Sequence, residues 1–167
     1  MSQEKILSLD DLTQKSSQLR KEGKRIVLCH GTFDLMHTGH IRYLKSAREK
    51  GDILFVTVRS DTFVNKGPGR PVFPQELRAE NLSSLACVDF VSINHAPTAV
   101  NVICELKPHA YAKGNDYKNI DEDVTGNIQL EKKAVEEGGG EIIFTDEITF
   151  SSTELLNDHF GVFPNET

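Results

Sequence analysis

The sequence has no tryptophan, two methionines and three cysteines. It also has no apolar stretch approaching the ~20 residues that a membrane helix needs. Cys29, Cys87 and Cys104 are far apart and form no CxxC pair. That excludes both a disulfide framework and a zinc cage, and leaves buried, reduced thiols as the expectation. Positive charge is in deficit, with 19 Lys and Arg against 25 Asp and Glu and a formal net charge of −6. A broad basic surface for nucleic acid is thereby excluded, and only a local cationic pocket is left. Met1 to Asp10 mixes charges and lacks the apolar centre of a secretion signal. The expectation is a cytoplasmic protein with neither nucleic acid nor membrane as partner. No repeat, low-complexity tract or Walker lysine loop is present.

What is present is ordinary globular usage, 167 residues with 38% hydrophobic and 26% charged, enough for one sizeable core. Ser8 followed by Asp11 reads as an N-cap with an acidic N3 partner, opening a polar helix that stops at Gly23. Arg25 to Cys29 is a short apolar run suited to a strand covered on both faces. From His40, the residues Ile41, Leu44 and Ala47 recur at helical spacing, with Gly51 as C-cap. Ile53 to Val58 is a second buried strand.

Asn65 to Pro74 is an irregular loop carrying Lys66 and Arg70, and a cation-rich loop is a functional candidate. Helices are expected over Gln75 to Ala86, Thr98 to Leu106 and Val124 to Glu137, and strands over Val88 to Ile93, Ala110 to Lys113 and Glu141 to Phe144. Ser151 starts a last helix. Gly138, Gly139 and Gly140 read as a turn between helix and strand. Strands alternate with helices throughout, which predicts an α/β fold: an open parallel five-stranded sheet, Rossmann-like, with helices on both faces. Ligands of such sheets bind beyond the carboxyl ends of the strands at the switch point, so the exit of the first strand, at His30, is the place to look.

The loop there reads Gly31, Thr32, Phe33, Asp34, Leu35, Met36, His37, Thr38, Gly39, His40. Gly31 lets the backbone approach a ligand closely. His37 and His40 are three apart where a helix begins, so both rings can face one side. The same helix start offers unpaired N–H groups near Thr38 and Gly39. Two imidazoles and a helix N-terminus make a phosphate site. Taken alone, the pair also reads as a structural cap or as metal ligands, although no third His or Cys stands nearby at ligand spacing.

All ten positions resemble the GxFDxxHxGH signature of the cytidylyltransferase-like nucleotidyltransferases. Arg70-Pro71-Val72-Phe73-Pro74 with Arg78 is similar to the RPVxPxxxR stretch of the subgroup acting on sugar phosphates, and Lys113 to Tyr117 to its KGxDY motif. Ser151-Ser152-Thr153 stands where the family has its nucleotide-binding helix start. The matching region runs from about Arg25 to about Asn157, and within the family it most resembles the nucleotidylyltransferase domains of bacterial ADP-heptose synthases.

The resemblance implies in-line attack by an acceptor phosphate on the α-phosphorus of a nucleoside triphosphate, with pyrophosphate leaving. His37 and His40 would hold the triphosphate and donate to oxygens that gain charge, and Lys66 would reach both substrates. Gly31, Thr32, Phe33 and Gly39 would approach phosphate through the backbone, while Asp34 would orient the loop. Arg78 would bind phosphate, Lys113, Gly114 and Asp116 the nucleotide's sugar or base, and Ser151, Ser152 and Thr153 the triphosphate. Mg2+ would come with the triphosphate, held by phosphate and water, without metal ligands from the protein. No Arg or Lys flanks the serine-threonine motif, which favours ATP over CTP, and the acceptor would be a sugar phosphate such as a heptose 1-phosphate.

The same resemblance implies that residues 25–160 form the nucleotidyltransferase domain. Residues 1–24 would add a helix to it, and 161–167 would be a tail or a boundary with a ribokinase-type sugar kinase. Homodimers are expected. The competing readings are a CTP-dependent enzyme acting on glycerol phosphate, a more distant FAD synthetase, and a regulatory nucleotide-binding module without catalysis. His30 has no account in the sequence.

Overall fold

The computed structural model describes residues 3–114, 127–146 and 156–159. Five strands, β1 (Ile26–Gly31), β2 (Ile53–Arg59), β3 (Phe90–Asn94), β4 (Ala110–Lys113) and β5 (Glu141–Phe144), form one sheet in the order β3-β2-β1-β4-β5. Every pairing is parallel. Strand order reverses at β1, so the crevice beside its exit is the switch point of the sheet.

The helices are α1 (Leu9–Lys21), α2 (Thr38–Arg48), α3 (Gln75–Ser83), α4 (Val100–Leu106) and α5 (Asn127–Glu137). Strand residues alternate between two cores, as a period of two dictates. Val27, Cys29, Val56 and Val58 pack with Leu44 and Ala47 of α2 and with Ala79 and Leu82 of α3. Ile26, Leu28, Phe55 and Tyr111 pack with Leu12 of α1, with Val102, Ile103 and Leu106 of α4, and with Val135 of α5. Each Val, Leu, Ile or Phe side chain among them, fully withdrawn from water, contributes about 1.5–3 kcal/mol before chain entropy is counted. The expected five-stranded parallel sheet with helices on both faces is what the chain forms.

Local signals set most element ends. The Asp11 N–H donates to Ser8 Oγ at 3.1 Å and opens α1. Gly140 is fixed by crowding, since a Cβ there would lie 2.2 Å from the Pro108 carbonyl oxygen. Leu7 donates its N–H to the Val91 carbonyl at 2.9 Å, so the segment before α1 covers the β3 edge. The cysteines depart from expectation, because only Cys29 is buried, Cys87 is half-buried and Cys104 is exposed. Cys104 falls on the solvent side of α4, which a run of apolar neighbours in sequence does not reveal. Among the described residues no helix is long and apolar enough to cross a membrane.

Candidate active site

The segment leaving β1 makes a tight loop before α2. Phe33 and Leu35 both take the left-handed backbone conformation, with φ of 52° and 51°. For bulky side chains this costs about 1–3 kcal/mol each and persists only where surrounding contacts over-determine it. Those contacts are specific. A Cβ on Gly31 would meet the Phe33 ring at 3.1 Å, so the visible reason for glycine here is the packing of that ring beneath the loop. Asp34 is buried and faces Arg70, with Nε to Oδ2 at 2.7 Å and both side chains 1% exposed. The same carboxylate accepts the N–H groups of Val72 (2.9 Å) and Phe73 (3.1 Å). Burial raises the Asp34 pKa, but those two N–H bonds and the Arg70 guanidinium outweigh it and hold the carboxyl below its ordinary value. Asp34 therefore locks the β1 loop to the cation-bearing loop.

Arg78 makes a second lock. It is wholly buried on α3 and donates to the carbonyls of Phe73 (2.9 Å) and Thr32 (2.6 Å) and to Asp61 Oδ1 (2.6 Å). Arg78, expected to bind phosphate, is instead seen engaged with protein groups. Its fork is turned inward on three protein oxygens and fixes the backbone at Thr32. Asp61 lies 17 residues upstream of Arg78 and also accepts the N–H of Gln75 at 3.2 Å, near the start of α3 where Pro74 supplies no side-chain cap.

His37 and His40 come together as expected. α2 begins at Thr38, two residues before the sequence periodicity indicates, because His37 itself is the N-cap. Gly39 N–H donates to His37 Nδ1 (3.1 Å), and His37 N–H donates to His40 Nδ1 (3.4 Å). The ring centroids lie 4.0 Å apart, and Phe33 meets His40 edge-on at 5.6 Å. With Nδ1 accepting, a neutral ring carries its proton on Nε2 and is a donor there. Burial, followed by the His37 and Lys66 charges, pushes His40 down to about 4, so its ring is neutral at pH 7. Lys66 is thereby placed within electrostatic reach of the pair. Two imidazoles, the α2 N-terminus and a lysine are thus gathered at the β1 exit.

On the far side of β1, Lys113 is buried and pairs with Glu131 at 3.0 Å, while Tyr111 donates its hydroxyl to the same carboxylate at 3.0 Å. Gly114 follows at the strand exit. Asp116, Ser151, Ser152 and Thr153 lie outside the described residues. Sequence reasoning missed Asp61 and Glu131, both surface carboxylates by type, and it left His30 without a role. His30 is buried at the end of β1, with Nδ1 2.9 Å from Thr57 Oγ1 on β2. Burial, followed by the Lys113 and Arg59 charges, pushes it down to about 3. Among the described residues no group of three His, Cys, Asp or Glu could hold a metal ion. Asp34 and Asp61 are both paired with arginines.

Residues 28–157 match the cytidylyltransferase-like family. The chain is 40% identical over 134 residues to the bifunctional protein HldE of Nitratiruptor sp., a match covering 77% of this chain and 29% of that protein. It is 39% identical over 152 residues to the HldE of Methylococcus capsulatus, covering 90% and 31%. The chain thus spans less than a third of the length of these curated relatives. Among solved structures, the lipopolysaccharide core biosynthesis protein of Thermoplasma volcanium superposes with a TM-score of 0.62 at 26% identity, over 76% of this chain and 100% of that one. The pantoate-beta-alanine ligase of Francisella tularensis superposes with a TM-score of 0.56 at 17% identity, over 90% and 74%, and shares the fold alone.

Proposed function

The chain belongs to the cytidylyltransferase-like family and is a nucleotidyltransferase; from that premise we propose that it moves a nucleoside monophosphate from ATP, in preference to CTP, onto a sugar phosphate such as a heptose 1-phosphate. An acceptor phosphate oxygen attacks the α-phosphorus in line, the bond to the β-phosphate oxygen breaks, and pyrophosphate leaves. The acceptor is already ionised, so no general base is required, and Asp34, engaged by Arg70, is not one. Catalysis rests on positioning and charge stabilisation. His37 and His40 donate through Nε2 to oxygens that gain charge, Lys66 bridges the two phosphates, and the loop backbone at Gly31, Thr32, Phe33 and Gly39 lies against the α-phosphate. Lys113, Gly114 and Asp116 meet the nucleoside, and Ser151, Ser152 and Thr153 the outer phosphates. Mg2+, carried on the triphosphate by phosphate and water, would neutralise outer-phosphate charge.

The observation that supports this reading is the imidazole pair, 4.0 Å apart and capping α2 at the switch point of the sheet. We further propose that residues 25–160 act as the transferase unit with the 1–24 segment packed on it, in the cytoplasm and as a homodimer. A ribokinase-type sugar kinase, fused to this unit or acting as a partner, would supply the phosphorylated acceptor. The test is pyrophosphate release with ATP and with CTP against a panel of heptose, hexose and glycerol phosphates. Release with a sugar phosphate and ATP is expected. Release with CTP and glycerol phosphate alone would replace the substrate assignment, and release with no partner would refute transfer.

A further inference from the structure

We propose that the carboxyl edge of β1, β2 and β3, on the face turned away from α2, is the acceptor subsite: a polar groove for a phosphorylated polyhydroxy compound, with Arg59 toward its phosphate and His30, Thr57 and Ser92 along its hydroxyls. The inference rests on the nucleotidyl-transfer reading for its chemistry and on strand register for its geometry. His30 pairs with Thr57, and Thr57 with Ser92, so the three side chains lie side by side on one face. Lower on that face the strands present Ile26, Leu28 and Phe55, as a parallel sheet covered on both sides should. At the exit the apolar pattern stops and a polar row crosses three strands.

The row is only partly satisfied, through the contact of His30 Nδ1 with Thr57 Oγ1. Among the described residues, His30 Nε2 and Ser92 Oγ of the row, and Arg59 Nε on the same face of β2, are buried without a hydrogen-bond partner. His30 is 7% exposed and Ser92 1%. Native chains rarely leave such groups unpaired, and several together at the ligand-binding edge of an open sheet point to a partner from outside the chain. Charge agrees. Arg70, Arg78 and Lys113 each face a carboxylate, whereas Arg59 has none among the described residues. A guanidinium without a counterion suits a phosphate bidentately.

Space agrees as well. Ser92 also lines a cleft of about 370 Å3 whose polar groups include Ser8, Asn94, His95 and Asn101 and whose walls are otherwise apolar, among them Leu7 and Ile93. From the β1 exit to the β3 edge is two strand spacings, roughly 9–10 Å, comparable to the long dimension of a sugar phosphate. His95 is exposed at this cleft.

The test uses the full chain labelled with 15N-histidine and follows imidazole resonances during separate titrations with mannose 1-phosphate, heptose 1-phosphate, inorganic phosphate and Mg-ATP. The sugar phosphates should move the His30 ring, Mg-ATP should move His37 and His40, and inorganic phosphate should bind at least about tenfold more weakly than either sugar phosphate. Arg59→Gln should weaken sugar-phosphate binding about tenfold, and Ser92→Ala severalfold, with ATP affinity held within twofold. A His30 shift caused by ATP and not by the sugar phosphates would overturn the subsite, as would unchanged sugar-phosphate affinity in Arg59→Gln. Sugar-phosphate binding at His30 without any pyrophosphate release would defeat nucleotidyl transfer and leave the subsite standing. Release at unchanged acceptor KM in Arg59→Gln would do the reverse.

Discussion

Two polar regions meet at the exit of β1, and they are built on opposite terms. On the α2 side, Asp34, Arg70, Arg78 and Asp61 are saturated by one another and by backbone groups at 2.6–3.1 Å. On the other side, the His30, Ser92 and Arg59 side chains keep buried atoms with no partner among the described residues. The first region is finished as folded and carries the strained turn of the signature loop. The second holds hydrogen-bonding capacity that the described chain does not use. The contrast separates residues that shape the site from residues that face a ligand, and residue type alone does not make that separation. Arg78 and Arg59 are both arginines near the site, yet of the two only Arg59 has no carboxylate partner among the described residues.

The most forceful way to break the comparison is to cut the locked side. Asp34→Ala strips a buried guanidinium of its carboxylate and leaves the N–H groups of Val72 and Phe73 unpaired. Unfolding free energy should fall by about 3–5 kcal/mol in chemical denaturation. Arg59→Gln, on the open side, should change it by under about 0.5 kcal/mol. Equal costs for the two would erase the distinction.

His40 belongs to the active pair and not to the lock. His40→Ala should lower kcat by about 10²-fold or more, as for loss of an oxyanion donor, while the thermal unfolding midpoint moves little. Unchanged turnover would remove the catalytic role, and a collapsed fold would move His40 to the structural side.

Acid adds a further probe, because the active pair and the open side each hold a depressed histidine. Unfolded histidine titrates near 6.5. In the fold His40 sits at about 4 and His30 at about 3, in both cases through burial first. The unfolded chain therefore binds more protons, and stability rises with pH across this interval. The contribution is complete above about 6.5 and is lost as pH falls toward 4, with a slope of up to about 1.4 kcal/mol per pH unit for each ring. Asp34, held below its ordinary value, loses its share only at still lower pH. Denaturant titrations at pH 6.5, 5.5 and 4.5 should show this decline, and His30→Asn should reduce its slope. Activity that depends on a neutral His40 should stay level down to about pH 5. An acid limb centred at 6.5 would contradict the neutral-donor assignment.

Much of the fold could be read from the sequence, because burial of a parallel sheet on both faces leaves continuous apolar runs. The bounds of β4 and β5 agree with their runs to the residue. The signature loop could also be read, since its spacing is local. What could not be read depends on contacts distant in sequence. Asp34 meets Arg70 across 36 residues, Lys113 meets Glu131 across 18, and the His30, Thr57 and Ser92 row exists only once three strands are in register. The burial of Arg78 could not be read either, because an arginine on a helix looks the same in sequence whether it faces solvent or the interior.

The finest test compares two serines. Ser16 and Ser92 are each 1% exposed, but Ser16 Oγ donates to the Leu106 carbonyl at 2.6 Å, while Ser92 Oγ has no partner among the described residues. Removing a satisfied hydroxyl gives up its hydrogen bond and orphans an acceptor, so Ser16→Ala should cost about 1 kcal/mol. Removing an unsatisfied one relieves a desolvation penalty, so Ser92→Ala should leave stability unchanged or raise it by up to about 1 kcal/mol. Denaturant midpoints at constant slope are sensitive enough to separate the two. A loss at Ser92 matching that at Ser16 would mean that the chain itself completes the groove, and the groove would then need no ligand to explain it.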